Sequence, residues 1–170
     1  VAYVMMAFRI AWFKVYHPLA FYAAYFSIRA KAFDLRIMTG DLKTQMTEFN
    51  RIKALDRAAS PKDKDLMSAL EVSMEMYQRG YRFINVDIQH SEARRFSIKD
   101  GALLPPFLAI DSLGETVADA IVAEREERPF TSLKDLQRRC KVSNTIIDLM
   151  KELKCCGELP EDEQMSLFGA

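Results

Sequence analysis

The residues of this chain best suited to hold an anion are Ser112-Leu113-Gly114, followed by Glu115 and Thr116. A glycine at a tight turn tolerates positive φ and lets the backbone come close to a ligand. Val117, Ala118, Ile121 and Val122 then fall at helical spacing, so a helix begins at the turn. The first N–H groups of a helix lack intrahelical acceptors and lie at the positive end of its dipole, which favours a phosphate. A second turn, Lys141-Val142-Ser143-Asn144-Thr145, has no glycine but carries Arg138, Arg139 and Lys141 beside it. The candidate contacts to a nucleic-acid backbone are therefore Ser112, Gly114, Thr116, Arg138, Arg139, Lys141, Ser143, Asn144 and Thr145.

A different chemistry closes the chain. Glu158 to Ala170 contains Pro160, Glu161, Asp162 and Glu163 and too little apolar surface to build a core, so a flexible tail is expected. It finishes Gln164-Met165-Ser166-Leu167-Phe168, which offers large apolar anchors flanked by solubilising charge. That is the make-up of a docking peptide. Folding back onto the chain's own domain is the other reading of the same residues.

The elements that position these residues read as mainly helical. Residues 1–15 form a helix with Tyr3, Met6, Ile10 and Phe13 along one face, stopped at His17-Pro18. A second helix starts at Pro18 and runs to about Ala30. Both are apolar nearly all round and belong inside a larger body. Leu42, Met46, Phe49, Ile52 and Leu55 mark a third helix. Ser60-Pro61-Lys62-Asp63 opens a fourth that carries Leu66, Leu70, Met74 and Tyr77 inward and ends at Gly80. The period then changes to two: Ile84, Val86 and Ile88 alternate with polar residues, as do Phe96 and Ile98, and Asp100-Gly101 signals a hairpin. A small β element is expected between about Tyr81 and Leu104, punctuated by Pro105-Pro106. Beyond Phe107 come a short lead-in and helices over 115–128, 132–139 and 143–153, with Ser132 to Asp135 as a capping-box start. This gives two helix-hairpin-helix units in tandem, each burying the other's apolar face.

Composition limits what the chain can be. Its 170 residues are 49% hydrophobic and 28% charged, with zero formal net charge, which suits one or two small cores and excludes a basic nucleic-acid coat. Contact with DNA must come from a local patch. Cys140 and the pair Cys155-Cys156 match neither a zinc pattern nor a disulfide framework, and His17 and His90 lie far apart, so no metal site is expected. A reducing cytoplasm is the simplest setting. Arg9, Lys14 and His17-Pro18 interrupt the apolar N-terminus before it could span a bilayer, and it has no signal-peptide pattern. With Val1 first and no helix cap before it, the chain is expected to be cut from something longer.

Several stretches, in consistent order, resemble the C-terminal end of the C-family bacterial replicative DNA polymerases of the PolC type, the DNA polymerase III α subunit. Ala2 to Phe26, reading AYVMMAFRIAWFKVYHPLAFYAAYF, resembles the family's fingers segment after its Lys-Ser-His-Ala-Ala run, which this chain does not contain. Val86-Asp87-Ile88 with Ser91, then Leu104-Pro105-Pro106-Phe107, resembles the passage into the family's tandem helix-hairpin-helix region. The ending Gln164 to Phe168 is similar to its motif for the sliding clamp. There are departures. Ser112-Leu113-Gly114 stands where many such turns read glycine-hydrophobic-glycine, acidic Glu115 follows, and Asn144 replaces the lysine of Arg-Val-Ser-Lys-Thr.

The resemblance implies a division into residues 1–80 (helical end of the fingers), 81–104 (small β element), 105–157 (tandem helix-hairpin-helix, DNA-binding) and 158–170 (clamp-binding tail). It implies template-directed DNA synthesis by a parent chain that uses Mg²⁺ on palm carboxylates outside these residues. This stretch would then contain no catalytic residue, hold no metal or cofactor itself, and be inactive alone. Duplex DNA, the β sliding clamp and the remainder of the polymerase chain are the implied partners, with no membrane, in a cytoplasmic, nucleoid-associated setting. Gln164, Met165, Leu167 and Phe168 would hold the clamp; Tyr3, Arg9 and Lys14 would lie near the substrate or template path, or else be packing residues with snorkelling bases. The alternatives are a stand-alone helix-hairpin-helix adaptor, a repair accessory domain without polymerase activity, and a purely structural helical protein.

Overall fold

The computed structural model describes residues 1–30 and 32–162. The chain is mainly α-helical with one small sheet, and it divides into two compact units: 1–84 with 95–105, and 85–94 with 106–170.

The first unit contains α1 (Ala2–Tyr16), α2 (Pro18–Ile28), α3 (Leu35–Met38), α4 (Leu42–Leu55) and α5 (Pro61–Gln78). Its boundaries follow from local chemistry. His17 ends α1 and Pro18 opens α2 at the first helical position. Asp34 accepts from the Ile37 N–H and Asp41 from the Thr44 N–H, so α3 and α4 each start on a carboxylate cap. At α5 both arms of a capping box form: Ser60 Oγ accepts from the Asp63 N–H, and the Asp63 carboxylate accepts from the Ser60 N–H. At its other end Gly80, at φ 86°, lets the Gly80 and Tyr81 N–H groups return to the Tyr77 and Met76 carbonyls.

Tyr22, Phe26, Met38, Ile52, Leu70, Met76, Phe83 and Leu103 form the centre of this unit. Phe26, Phe33, Phe83 and Phe96 meet mostly edge-to-face, with Phe26 and Phe83 centroids 4.9 Å apart. A buried polar pair crosses the core where Ser73 donates to Gln45 Oε1 and Gln45 donates to the Met38 carbonyl. By contrast, α1 buries none of its residues, and Phe8, Ile10 and Trp12 are exposed.

The β element is smaller than the alternation suggests. β1 (Ser97–Lys99) pairs antiparallel with β2 (Ala102–Leu104), Ile98 opposite Leu103, through the Asp100-Gly101 turn in which both residues have positive φ. The expected strand through Ile84, Val86 and Ile88 reduces to an isolated bridge between Phe83 and Leu103. The reason is that side chains take the backbone amides a partner strand would have used. Asn85 Oδ1 accepts from the Val86 N–H and Ser91 Oγ from the Asp87 N–H, while the Ile88 N–H reaches the Cys155 carbonyl. Residues 85–94 thereby group with the C-terminal helices and 95–105 with the N-terminal ones.

The second unit has a 3₁₀ turn at Phe107–Ala109, then α6 (Glu115–Glu127), α7 (Leu133–Cys140) and α8 (Asn144–Glu152). Phe107, Ile110, Ala118, Ile121, Leu136, Ile147 and Met150 are buried in it. The three cysteines are buried free thiols, and burial pushes Cys140 up to about 11 and Cys155 to about 12, which removes thiolate chemistry. Among the described residues no helix is long and apolar enough to cross a membrane.

Candidate nucleic-acid interface

The two turns of the second unit are built alike. In the first, Ser112 has φ 64°, Leu113 is buried, and Gly114 is extended at φ −75°, ψ 156° as the N-cap of α6. In the second, Lys141 has φ 54°, Val142 is buried, and Ser143 is extended at φ −70°, ψ 155° as the N-cap of α8. Past each cap the same order of side chains recurs: Glu115-Thr116-Val117-Ala118-Asp119 and Asn144-Thr145-Ile146-Ile147-Asp148. Ala118 and Ile121 turn inward in one helix, Ile147 and Met150 in the other. This internal repeat, written in the sequence as Thr-apolar-apolar-Asp, was not among the expectations.

The repeat corrects the role given to Gly114. The left-handed residue of the first turn is Ser112, whereas Gly114 has an ordinary extended backbone that any residue adopts. Space is what Gly114 supplies: a Cβ there would meet nothing within 4 Å. It also caps nothing with a side chain, so the early amides of α6 stay open to an acceptor from outside. At the second turn Ser143 Oγ takes the Ile146 N–H, and the Asn144 side-chain oxygen accepts from Gln137.

Charge distinguishes the turns. Arg94, which nothing in the sequence had marked, donates to Glu115 at 2.6 Å and to both oxygens of Asp119. These bonds hold the Asp119 carboxyl below the usual carboxylate range. The first turn therefore sits behind one arginine and two carboxylates, all exposed. Lys141 and Arg138 stand at the second, Lys141 exposed, and 70% of the Arg138 side chain is accessible although it bonds Asp135 at 2.9 Å. Ser112, Thr116, Ser143, Asn144 and Thr145 are all exposed.

Arg139 does not join them. Its side chain is only 11% accessible, stacks 4.8 Å over Phe130, and donates to the carboxylates of Glu124 and Asp135 and to the Arg128 carbonyl. Asp135, with no accessible side-chain surface, is the hub. Burial alone would raise its carboxyl, but bonds from Arg138, the Thr131 N–H and Arg139 outweigh that and hold it below its usual range.

In the first unit the three residues placed near a substrate or template path separate. Tyr3 and Arg9 are exposed on α1. Lys14 is tied to Glu75 at 2.6 Å and lies over the Phe21 and Tyr22 rings. Gln164, Met165, Leu167 and Phe168 lie outside the described residues. Among the described residues no group of three or more histidine, cysteine, aspartate or glutamate side chains could hold a metal ion.

A repeated pair of helical hairpins, each turning through a left-handed residue and a buried apolar one into an extended helix cap, defines a helix-hairpin-helix module. The chain belongs to the helix-hairpin-helix family, whose motif model matches residues 80–164. Over nearly its whole length it is also similar to DNA polymerase III PolC-type proteins. It is 46% identical over 99% of its residues to that of Caldanaerobacter subterraneus subsp. tengcongensis. The corresponding figures are 48% over 98% for Streptococcus suis and 45% over 98% for a Streptococcus pyogenes serotype M12 strain. The chain spans 12% of the length of each of these relatives.

Proposed function

We propose that this chain is the C-terminal part of a PolC-type replicative DNA polymerase and that its second unit holds duplex DNA by the phosphate backbone. The observation that carries the DNA reading is the paired turn geometry, with Lys141 and Arg138 accessible at the second turn. The similarity to PolC-type proteins, which includes the N-terminal helices, supports the polymerase reading over a free-standing adaptor or repair module. An adaptor would also leave the apolar surface of α1 without a cover. Arg9, in a groove lined by Met5, Phe8, Ile10, Trp12 and Phe13, has no ion-pair partner among the described residues and would meet an acidic group or a phosphate of the polymerase body or template.

In this reading residues 1–80 complete the fingers, 105–157 grip product duplex, and 158–170 tether the enzyme to its sliding clamp through Gln164, Met165, Leu167 and Phe168. Synthesis, with Mg²⁺ on palm carboxylates, belongs to the parent chain in the bacterial cytoplasm, and these residues alone do not polymerise. The two hairpins contribute unequally. Phosphates approach the second, whereas Glu115 and Asp119 repel them from the first.

Contacts to phosphates position DNA without reading it. Titration of the protein against duplexes of unrelated sequence should therefore give equal affinities that fall steeply with salt. Strong sequence preference, or affinity indifferent to salt, would sink this reading.

A further inference from the structure

The segment that leads into the tail is attached to the hairpin module. The Leu133 N–H donates to the Pro160 carbonyl at 2.9 Å and the Lys134 N–H to the Glu161 carbonyl at 3.2 Å. Two ion pairs flank these bonds: Lys134 with Asp162 at 2.5 Å, and Lys151 with Glu161 at 2.7 Å. The amides concerned are the first of α7, which no intrahelical carbonyl can satisfy. Ser132 Oγ takes the Asp135 N–H, and the returning chain takes the two before it. Gly157, at φ 60°, turns the backbone after α8 toward this position, and Pro160 offers a carbonyl where no N–H is needed.

From these contacts we infer that residues 158–162 are a strap that sets where, and on how short a leash, the clamp-docking peptide leaves the hairpin module. This rests on the clamp reading of the tail given above. The strap is held by Lys134 in the first turn of α7 and Lys151 in the last turn of α8. The Lys141 turn joins the opposite ends of the same two helices. With eight residues in α7, the strap and the turn are separated along the helix by about 12 Å at 1.5 Å per residue. Gln164 follows Asp162 by two positions, so its Cα lies no further than about 7 Å from that of Asp162. A tail free from Glu158 onward would let Gln164 range over about 20 Å. The strap thus confines the clamp to one end of the module while DNA phosphates sit at the other. Effective concentration depends steeply on leash length, so this confinement couples the two bindings.

The test uses the whole protein that carries this chain, with two variants. Glu161→Lys/Asp162→Lys reverses both ion pairs and releases the strap. A Gly-Ser insertion between Asp162 and Glu163 leaves the strap in place and lengthens the leash. Hydrogen exchange at the Leu133 and Lys134 amides should speed up about tenfold or more in the charge reversal and stay unchanged in the insertion. Clamp affinity without DNA should be unaltered in both. The gain in clamp affinity that primed duplex confers should fall about threefold in the insertion and about fivefold in the charge reversal. Equal exchange in the wild type and the charge reversal would overturn the strap, and an undiminished gain with DNA would overturn the leash. Failure of the wild type to bind clamp at all would refute the clamp reading instead, and the exchange result would still decide the strap.

Discussion

Ser112 and Lys141 occupy equivalent places in the two turns, and both hold a left-handed backbone, at φ 64° and 54°, that side chains rarely adopt. Each is followed by a buried apolar residue, Leu113 or Val142, and then by an extended helix cap. The left-handed conformation costs an ordinary residue roughly 1–2 kcal/mol. Both turns are therefore held by what surrounds them, chiefly by the buried residue in the middle.

Replacing Ser112 by glycine should relieve this cost. Part of the gain is offset by the greater freedom of glycine in the unfolded chain. The net expectation is a stabilisation of up to about 1 kcal/mol, read as a raised Tm. Gly114→Ala, at an extended backbone with open space for a Cβ, should leave stability within about 0.5 kcal/mol. A destabilising Ser112→Gly would mean that the serine hydroxyl does something the backbone does not reveal.

Lys141 and Glu115 should act on DNA in opposite directions. Lys141→Ala removes a cation beside the second turn and should weaken duplex binding equally for all sequences, lowering the salt slope by about one. Glu115→Gln removes a repelling charge and releases Arg94 from one of its two partners, so binding should tighten. Anisotropy titrations across a salt series decide both. If the two variants behave alike, the electrostatic asymmetry of the turns has no bearing on DNA.

The helices and the tandem hairpins were legible because their signals are local. Ser60-Pro61-Lys62-Asp63 carries both arms of its cap within four residues, and the box forms as written. Asp100-Gly101 likewise specifies its own turn. The strand through Ile84, Val86 and Ile88 failed because alternation says which side chains are buried but not whether a partner strand exists. Val86 and Ile88 are buried, yet Asn85 and Ser91 take the amides. Within the candidate site, the helix start after the first turn could be read from spacing, but the left-handed backbone of Ser112 and Lys141 and the extended cap at Gly114 could not. Nor could Arg94, since it meets Glu115 and Asp119 only through the fold.

Asp135 makes the second unit acid-sensitive. Its carboxyl is held below the ordinary range in the folded protein, so it adds stability that is complete above the unfolded value of about 3.9. That stability is lost as pH falls through the lower folded value. Asp135→Asn removes the buried charge and leaves Arg139, itself nearly buried, without one of its acceptors. A loss of about 3 kcal/mol is expected at pH 7. Denaturant titrations at pH 7 and pH 3 should show the wild type approaching the variant in acid, and a difference that persists unchanged at pH 3 would refute the linkage.

Arg138 and Arg139 are neighbours with opposite duties. Arg138 shares Asp135 with Arg139 but keeps most of its side chain in solvent, where a phosphate can reach it. Its ion pair is also one of the bonds that hold the buried Asp135 carboxylate, which keeps two further donors in Arg139 and the Thr131 N–H. Arg138→Ala should therefore weaken duplex binding severalfold and lower Tm less than Arg139→Lys does. Arg139 is packed over Phe130 and bonds the Glu124 and Asp135 carboxylates together with the Arg128 carbonyl. No lysine reproduces that fork, because an ammonium lacks the planar set of donors. Arg139→Lys should lower Tm clearly, while the folded fraction binds duplex with wild-type affinity and salt slope. Paired melting and binding curves for the two variants separate the roles, and a loss of DNA affinity in folded Arg139→Lys would return Arg139 to the interface.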